Sequence, residues 1–153
     1  MKYRETLIPT TVRDLKSQIK VAILCLPQRK FMRTILEKED PYDFDGMFYS
    51  IERGIENLRK KFGDTKANQL REMLAQAKAH HEEGWQLNGG EYAPKGPGWR
   101  EVCLGNYLLQ DTEMVVMDRQ PWAYPKELHR WHYNPWHPEL SEADLLNKDA
   151  EES

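Results

Sequence analysis

Six apolar residues, Phe44, Phe48, Ile51, Ile55, Leu58 and Phe62, recur along the chain at steps of 4, 3, 4, 3 and 4. That spacing keeps all six on one stripe of an α-helix and would scatter them over both faces of a strand, so residues 43–62 read as an amphipathic helix. Gly63 follows, a residue that tolerates the left-handed conformation in which helices end, and Asp64 offers a carboxylate to the first free N–H groups of a next helix. Ala67, Leu70, Leu74, Ala77 and His81 then recur at steps of 3, 4, 3 and 4, and Gly84 is expected to stop the run. Two helices of similar length with complementary stripes and a short join predict an antiparallel hairpin. The first stripe is regular enough to pair within the chain or with a second copy.

Helical spacing also flanks the hairpin. Val12, Leu15, Ile19, Ile23 and Leu26 form one stripe, Pro27 interrupts it, and Phe31, Met32, Ile35 and Leu36 continue a second helix towards Lys38. Beyond the hairpin, Val102, Gly105, Leu109, Thr112 and Val116, widened by Leu104, Leu108 and Val115, give a helix near residues 99–117 a broad face that must be buried. Between them, residues 88–98 hold four Gly and two Pro, too many for an element interior, and read as a loop. The expected fold is all-α: a bundle of four to five helices around the central antiparallel hairpin, leading into an irregular Trp/Pro/His-rich C-terminal arm. Residues 1–138 form a single helical domain and residues 139–153 an acidic, partly disordered tail.

At 153 residues the chain is one domain's worth, long enough to bury a core without disulfide staples. Its two cysteines, Cys25 and Cys103, lie in apolar helical context without CxxC spacing, which excludes a disulfide scaffold and a four-Cys zinc site and suits a reducing, cytoplasmic compartment. The longest apolar run, Val21 to Leu26, is six residues, whereas a bilayer crossing takes about 20. A soluble chain with no membrane partner is expected. The net charge of -3 conceals segregation: residues 1–38 carry +6, 39–57 carry -5, 58–81 carry +4 and 139–153 carry -5.

The densest candidate for chemistry is Arg119 to Pro138, which contains three of the five Trp, two Tyr, three of the five His and four Pro. Trp and Tyr join a large apolar face to a polar handle and, with Arg, dominate interface energetics. Trp122, Tyr124, Trp131, Tyr133 and Trp136, with Arg119 and Arg130 as polar partners, are therefore the candidate protein-docking surface. The plainer reading makes these rings a second small core capping the bundle, and the two readings can coexist. His129, His132 and His137 have spacings that could close a three-nitrogen metal site with a fourth position for water, the basis of a metal-dependent hydrolase. No HExxH and no Glu-x-x-His accompanies them. His80 and His81 stand near a helix end, where a cationic imidazole needs no further role.

Arg13, Lys16 and Lys20 on the first helix, with Arg29, Lys30 and Arg33 beyond Pro27, form a basic stripe that could neutralise phosphates. An overall pI of about 6.0 and the lack of a helix-turn-helix, zinc-finger or RNP-type motif weigh against nucleic acid, and the stripe could equally face the chain's own acidic segment at 39–57. Asp40, Asp43 and Asp45 lack a full calcium-loop pattern and suit capping. No P-loop and no GxSxG occurs. No cofactor is called for. The expectation is a binding module that docks on a protein partner; accessory and inhibitor proteins of mobile genetic elements are often short and motif-poor in this way. The alternatives are a three-histidine hydrolase and a helical nucleic-acid-binding protein.

Overall fold

A computed structural model describes residues 8–29 and 43–119. Among them stand five helices and no strand: α1 (Val12–Cys25), α2 (Phe44–Asn57), α3 (Arg59–Phe62), α4 (Asp64–Leu87) and α5 (Trp99–Val116). The expected helix over residues 31–38, the arm beyond Arg119 and the acidic tail lie outside the described residues.

Local chemistry sets the helix ends. Thr11 Oγ1 accepts the Asp14 N–H at 3.1 Å to start α1, which ends two residues before Pro27. Asp43 accepts the Gly46 N–H at 2.6 Å to start α2, the capping role expected of that acidic cluster. The long stripe at 44–62 is broken by one residue: Leu58 leaves helical geometry with ψ 8°, and α3 resumes as a single turn. Gly63, at φ 86°, makes the sharp joint to α4. Asp64 does not cap α4 as expected; Gly63 holds that position and the Asp64 carboxylate pairs with Arg59 at 3.2 Å.

Cross-helix partners fix the directions. Lys78 meets Asp45 while Arg71 meets Glu52 and Glu56, so α2 and α4 are antiparallel. His80 meets Glu101 and Lys66 meets Asp118, so α4 and α5 are antiparallel as well. Asn106 reaches Ile23 and Lys20 reaches Glu113, which opposes α1 to α5, and Asn57 bonds Pro9 O, which opposes α1 to α2. The result is an up-down-up-down bundle of α1, α2, α4 and α5 with α3 in one corner. The core joins Leu15 and Ile19 of α1, Met47, Ile51 and Ile55 of α2, Leu70 and Leu74 of α4, and Leu108 and Leu109 of α5. The stripe on α2 is thus covered within the chain. α5 lies between α1 and α4, which explains why its apolar face is so broad.

α4 does not stop at Gly84. It runs one further turn to Leu87, because the glycine is there for contact and not for termination: a β-carbon on Gly84 would stand 2.7 Å from Gly98 O and 2.7 Å from Val102 Cγ2. His80 and His81 are consequently interior to the helix and not in its last turn. Gly105 of α5 is equally constrained, since a β-carbon there would lie 2.5 Å from His81 Cδ2. The loop between the two helices is organised by Asn88, which accepts the Gly98 N–H at 2.7 Å and donates to Ala93 O at 3.3 Å.

Glycine to alanine inside a helix normally stabilises it by about 1 kcal/mol. For Gly84→Ala and Gly105→Ala the opposite sign is expected, a net loss of about 1–3 kcal/mol from overpacking, read from urea unfolding curves.

Candidate functional site

Of the residues put forward from sequence for docking, metal binding or nucleic-acid contact, the described part of the chain holds five. Arg119 is exposed just beyond α5, its N–H bonded to Met114 O at 2.8 Å, beside the α3–α4 joint at Phe62 and Lys66. Arg13 and Lys20 are exposed on α1 and Lys16 is half-buried. Lys20 is paired with Glu113 of α5 at 3.5 Å. Arg29 is not a free cation: its guanidinium lies 3.8 Å from the centre of the Phe44 ring and 4.3 Å from that of Trp85. Trp122, Tyr124, Arg130, Trp131, Tyr133, Trp136, His129, His132, His137, Lys30 and Arg33 fall outside the described residues.

The Arg29 clamp closes one end of the bundle. The backbone turns sharply after Pro27, reaching φ 53° at Arg29, and the side chain reaches across to α4, where Nη2 donates to His81 O at 3.4 Å. Burial between two rings lowers the guanidinium pKa, with Glu82 and Asp45 opposing that effect. A stacked planar cation of this kind holds by cation–π attraction and apolar contact together. It ties the end of α1 to the starts of α2 and the last turns of α4.

From the clamp a ladder of rings leads inward. Phe44 meets Phe48 edge-on at 5.1 Å, and Phe48 lies 6.4 Å from the imidazole of His81. His81 is only 2% exposed, and its Nε2 donates to Asn106 Oδ1 at 3.0 Å while Asn106 Nδ2 donates to Ile23 O at 3.3 Å. One buried relay therefore joins α4, α5 and α1, satisfying groups that would otherwise be costly inside a core. Burial drives the imidazole pKa from 6.5 down to about 3, the Asn106 hydrogen bond opposing this and the charges of Arg29 and His80 adding to it. The ring is neutral and packs as a core residue, as its place on the α4 stripe implies.

On the outside of the same ladder lies a groove of about 600 Å³ between α2 and α4, with Phe48, Leu74 and Ala75 as floor. α2 does not pack on α4 as closely as α5 does; charged side chains span the gap. Arg71 reaches Glu52 at 2.7 Å and Glu56 at 3.1 Å, and Lys78 reaches Asp45 at 3.2 Å. The hydrogen bond from Arg59, with Arg71 adding to it, holds the Glu56 carboxyl down at about 2. Tyr49 stands at the groove edge, 43% exposed. Sequence spacing assigned Tyr49, Arg71 and Lys78 to no function; the only hint was their position just off the apolar stripes.

On the opposite face of α4, His80 Nδ1 lies 2.5 Å from Glu101 Oε2 of α5, with the Glu83 carboxylate close by. This grouping was not legible from the chain, because it depends on the register of α5 against α4.

The neutral His81 makes stability pH-dependent in a defined window. Unfolded, the ring titrates near 6.5; folded, near 3, so over that interval the unfolded state binds the extra proton and stability falls with falling pH. The loss is at most about 1.4 kcal/mol per pH unit. Glu56 adds acid lability only below its ordinary value of 4.5. The melting temperature is expected to drop between pH 6.5 and 5, and His81→Gln to lower it at pH 7 while flattening that drop. A wild-type melting temperature constant over this interval contradicts the buried neutral ring.

Neither a protein-family model, nor a curated protein, nor a solved structure matches the chain, so its function has to be argued from the chemistry of these surfaces.

Proposed function

We propose that the protein is a docking module, and that the α2–α4 groove receives a short segment of a protein partner. The observation that supports this is the contrast between the two neighbours of α4: α5 touches it backbone to backbone at Gly84, whereas α2 is held off by ion pairs over an open, ring-floored groove. A volume of about 600 Å³ lies within the range of about 300–1,000 Å³ usual for ligand clefts. The rim fixes the chemistry of the occupant. It carries three carboxylates, Asp45, Glu52 and Glu72, against two cations, Arg71 and Lys78, and both cations are already paired with rim carboxylates. The fitting segment brings an apolar side chain for the Phe48–Leu74 floor and a basic residue for the rim.

The helices of the described part include none long and apolar enough to cross a membrane. Two buried cysteines, Cys25 and Cys103, accord with action in the cytoplasm. A role as an accessory or inhibitor protein, blocking or bridging a partner without chemistry of its own, is consistent with such a groove. The ring-rich segment from Trp122 to Trp136 is the other surface that a partner could use, and mutation separates the two.

The test is affinity capture from host extract by the full chain, by Tyr49→Lys and by Trp131→Ala, with lysine cross-linking of the captured complex. Tyr49 is 43% exposed, and far-ultraviolet circular dichroism checks that the variant keeps its fold. The expected result is one stoichiometric protein, cross-linked at Lys78 and lost at least about tenfold in Tyr49→Lys. A partner that Tyr49→Lys retains and Trp131→Ala loses moves the interface to the arm and defeats the groove. Capture of nucleic acid alone, released by moderate salt, defeats docking on protein altogether.

A further inference from the structure

We infer that His80, Glu83 and Glu101 form a binding site for a first-row divalent cation at the α4–α5 surface. Each offers one ligand atom, and the three atoms lie within 4.8 Å of one another. His80 and Glu83 are three apart on α4 and so share a face, and Glu101 approaches from the first turn of α5. The placement is held by a close approach of the two backbones: Gly84, next to Glu83, meets Gly98 and Val102, which bracket Glu101.

A simple interhelical ion pair between His80 and Glu101 accounts for two of the three groups. It does not account for Glu83. Two carboxylates facing one imidazole repel each other, and a divalent cation held by all three groups would remove that repulsion. The ion pair of Glu101 is with His80. The pair is partly shielded, with side-chain exposures of 24% for His80 and 20% for Glu101, while Glu83 is open to water.

The donor set defines the ion. One imidazole nitrogen and two carboxylate oxygens suit zinc, cobalt or manganese, whereas magnesium and calcium prefer oxygen alone. Metal–ligand bonds of about 2.0–2.2 Å set neighbouring donors roughly 3–3.5 Å apart, so His80 and Glu101, at 2.5 Å, need part by roughly 0.5–1 Å to admit an ion. Three protein ligands leave at least one coordination position for water on the Glu83 side.

The experiment is titration of the chelator-stripped full chain with zinc by calorimetry and with cobalt by visible absorption. Variants Glu83→Gln, Glu101→Gln and His132→Ala are run in parallel, with far-ultraviolet circular dichroism as a check on the fold. One equivalent is expected, at least about tenfold weaker in Glu83→Gln and in Glu101→Gln, unchanged in His132→Ala, and accompanied by a zinc-dependent rise in melting temperature that both Gln variants lose. Glu83 is exposed, so its loss of binding cannot be laid to unfolding. Absence of zinc and cobalt binding up to millimolar concentration overturns the inference. So does binding that His132→Ala abolishes while Glu83→Gln retains it, which transfers the metal to the C-terminal histidines.

Discussion

The bundle depends on how closely α4 and α5 approach. Two glycines, Gly84 on α4 and Gly105 on α5, remove the β-carbons that would hold the helices apart, and Gly98 at the start of α5 brings its backbone against Gly84. Dispersion falls off steeply with separation, so a contact at backbone distance gains attraction along the whole seam. The same closeness brings His81 within reach of Asn106, and Asn106 within reach of Ile23 of α1. One steric permission therefore sets both the apolar seam and the buried polar relay that orients the third helix. It also aligns His80 and Glu83 with Glu101 on the surface.

The other side of α4 follows a different rule. α2 contributes Met47, Ile51 and Ile55 to the core, yet its outer edge meets α4 through Arg71, Lys78 and their carboxylate partners. Exposed ion pairs of this kind are each worth about 0–1 kcal/mol and weaken with salt, so they position α2 without sealing it. The open groove is the geometric result. The Arg29 clamp supplies part of what close packing does not, since a cation stacked between Phe44 and Trp85 ties both helices at one end.

Much of the fold was legible from spacing alone, because a 3.6-residue period leaves its trace in every helix whose face is buried. The stripes of α1, α2, α4 and α5 all point into the core that periodicity assigned to them. What failed was whatever depends on which partner a residue meets in space. Gly84 has two meanings in a helix, terminator or contact, and only the position of Gly98 and Val102 decides between them. Asp64 had the chemistry of a cap, but Gly63 took the position and Arg59 the carboxylate. Arg29 counted as positive charge in the sequence and acts as a planar spacer in the fold. The site residues were harder still: the groove arises from a standoff between helices, and the His80–Glu83–Glu101 grouping from a register, neither of which a single sequence encodes in its own spacing. The aromatic segment from Trp122 to Trp136 lies outside the described residues.

The Asn88-braced loop has a kinetic side. By pinning a connection of only eleven residues, it lets the closest contacts of the molecule form between segments near one another in sequence, at small closure entropy. A long-range tie such as Asn106 to Ile23, across 83 residues, closes a far larger loop at a greater entropic cost. Opening runs the other way. Among the described helices α2, attached by charges on one flank, is expected to exchange its amides with solvent before those of the α4–α5 seam.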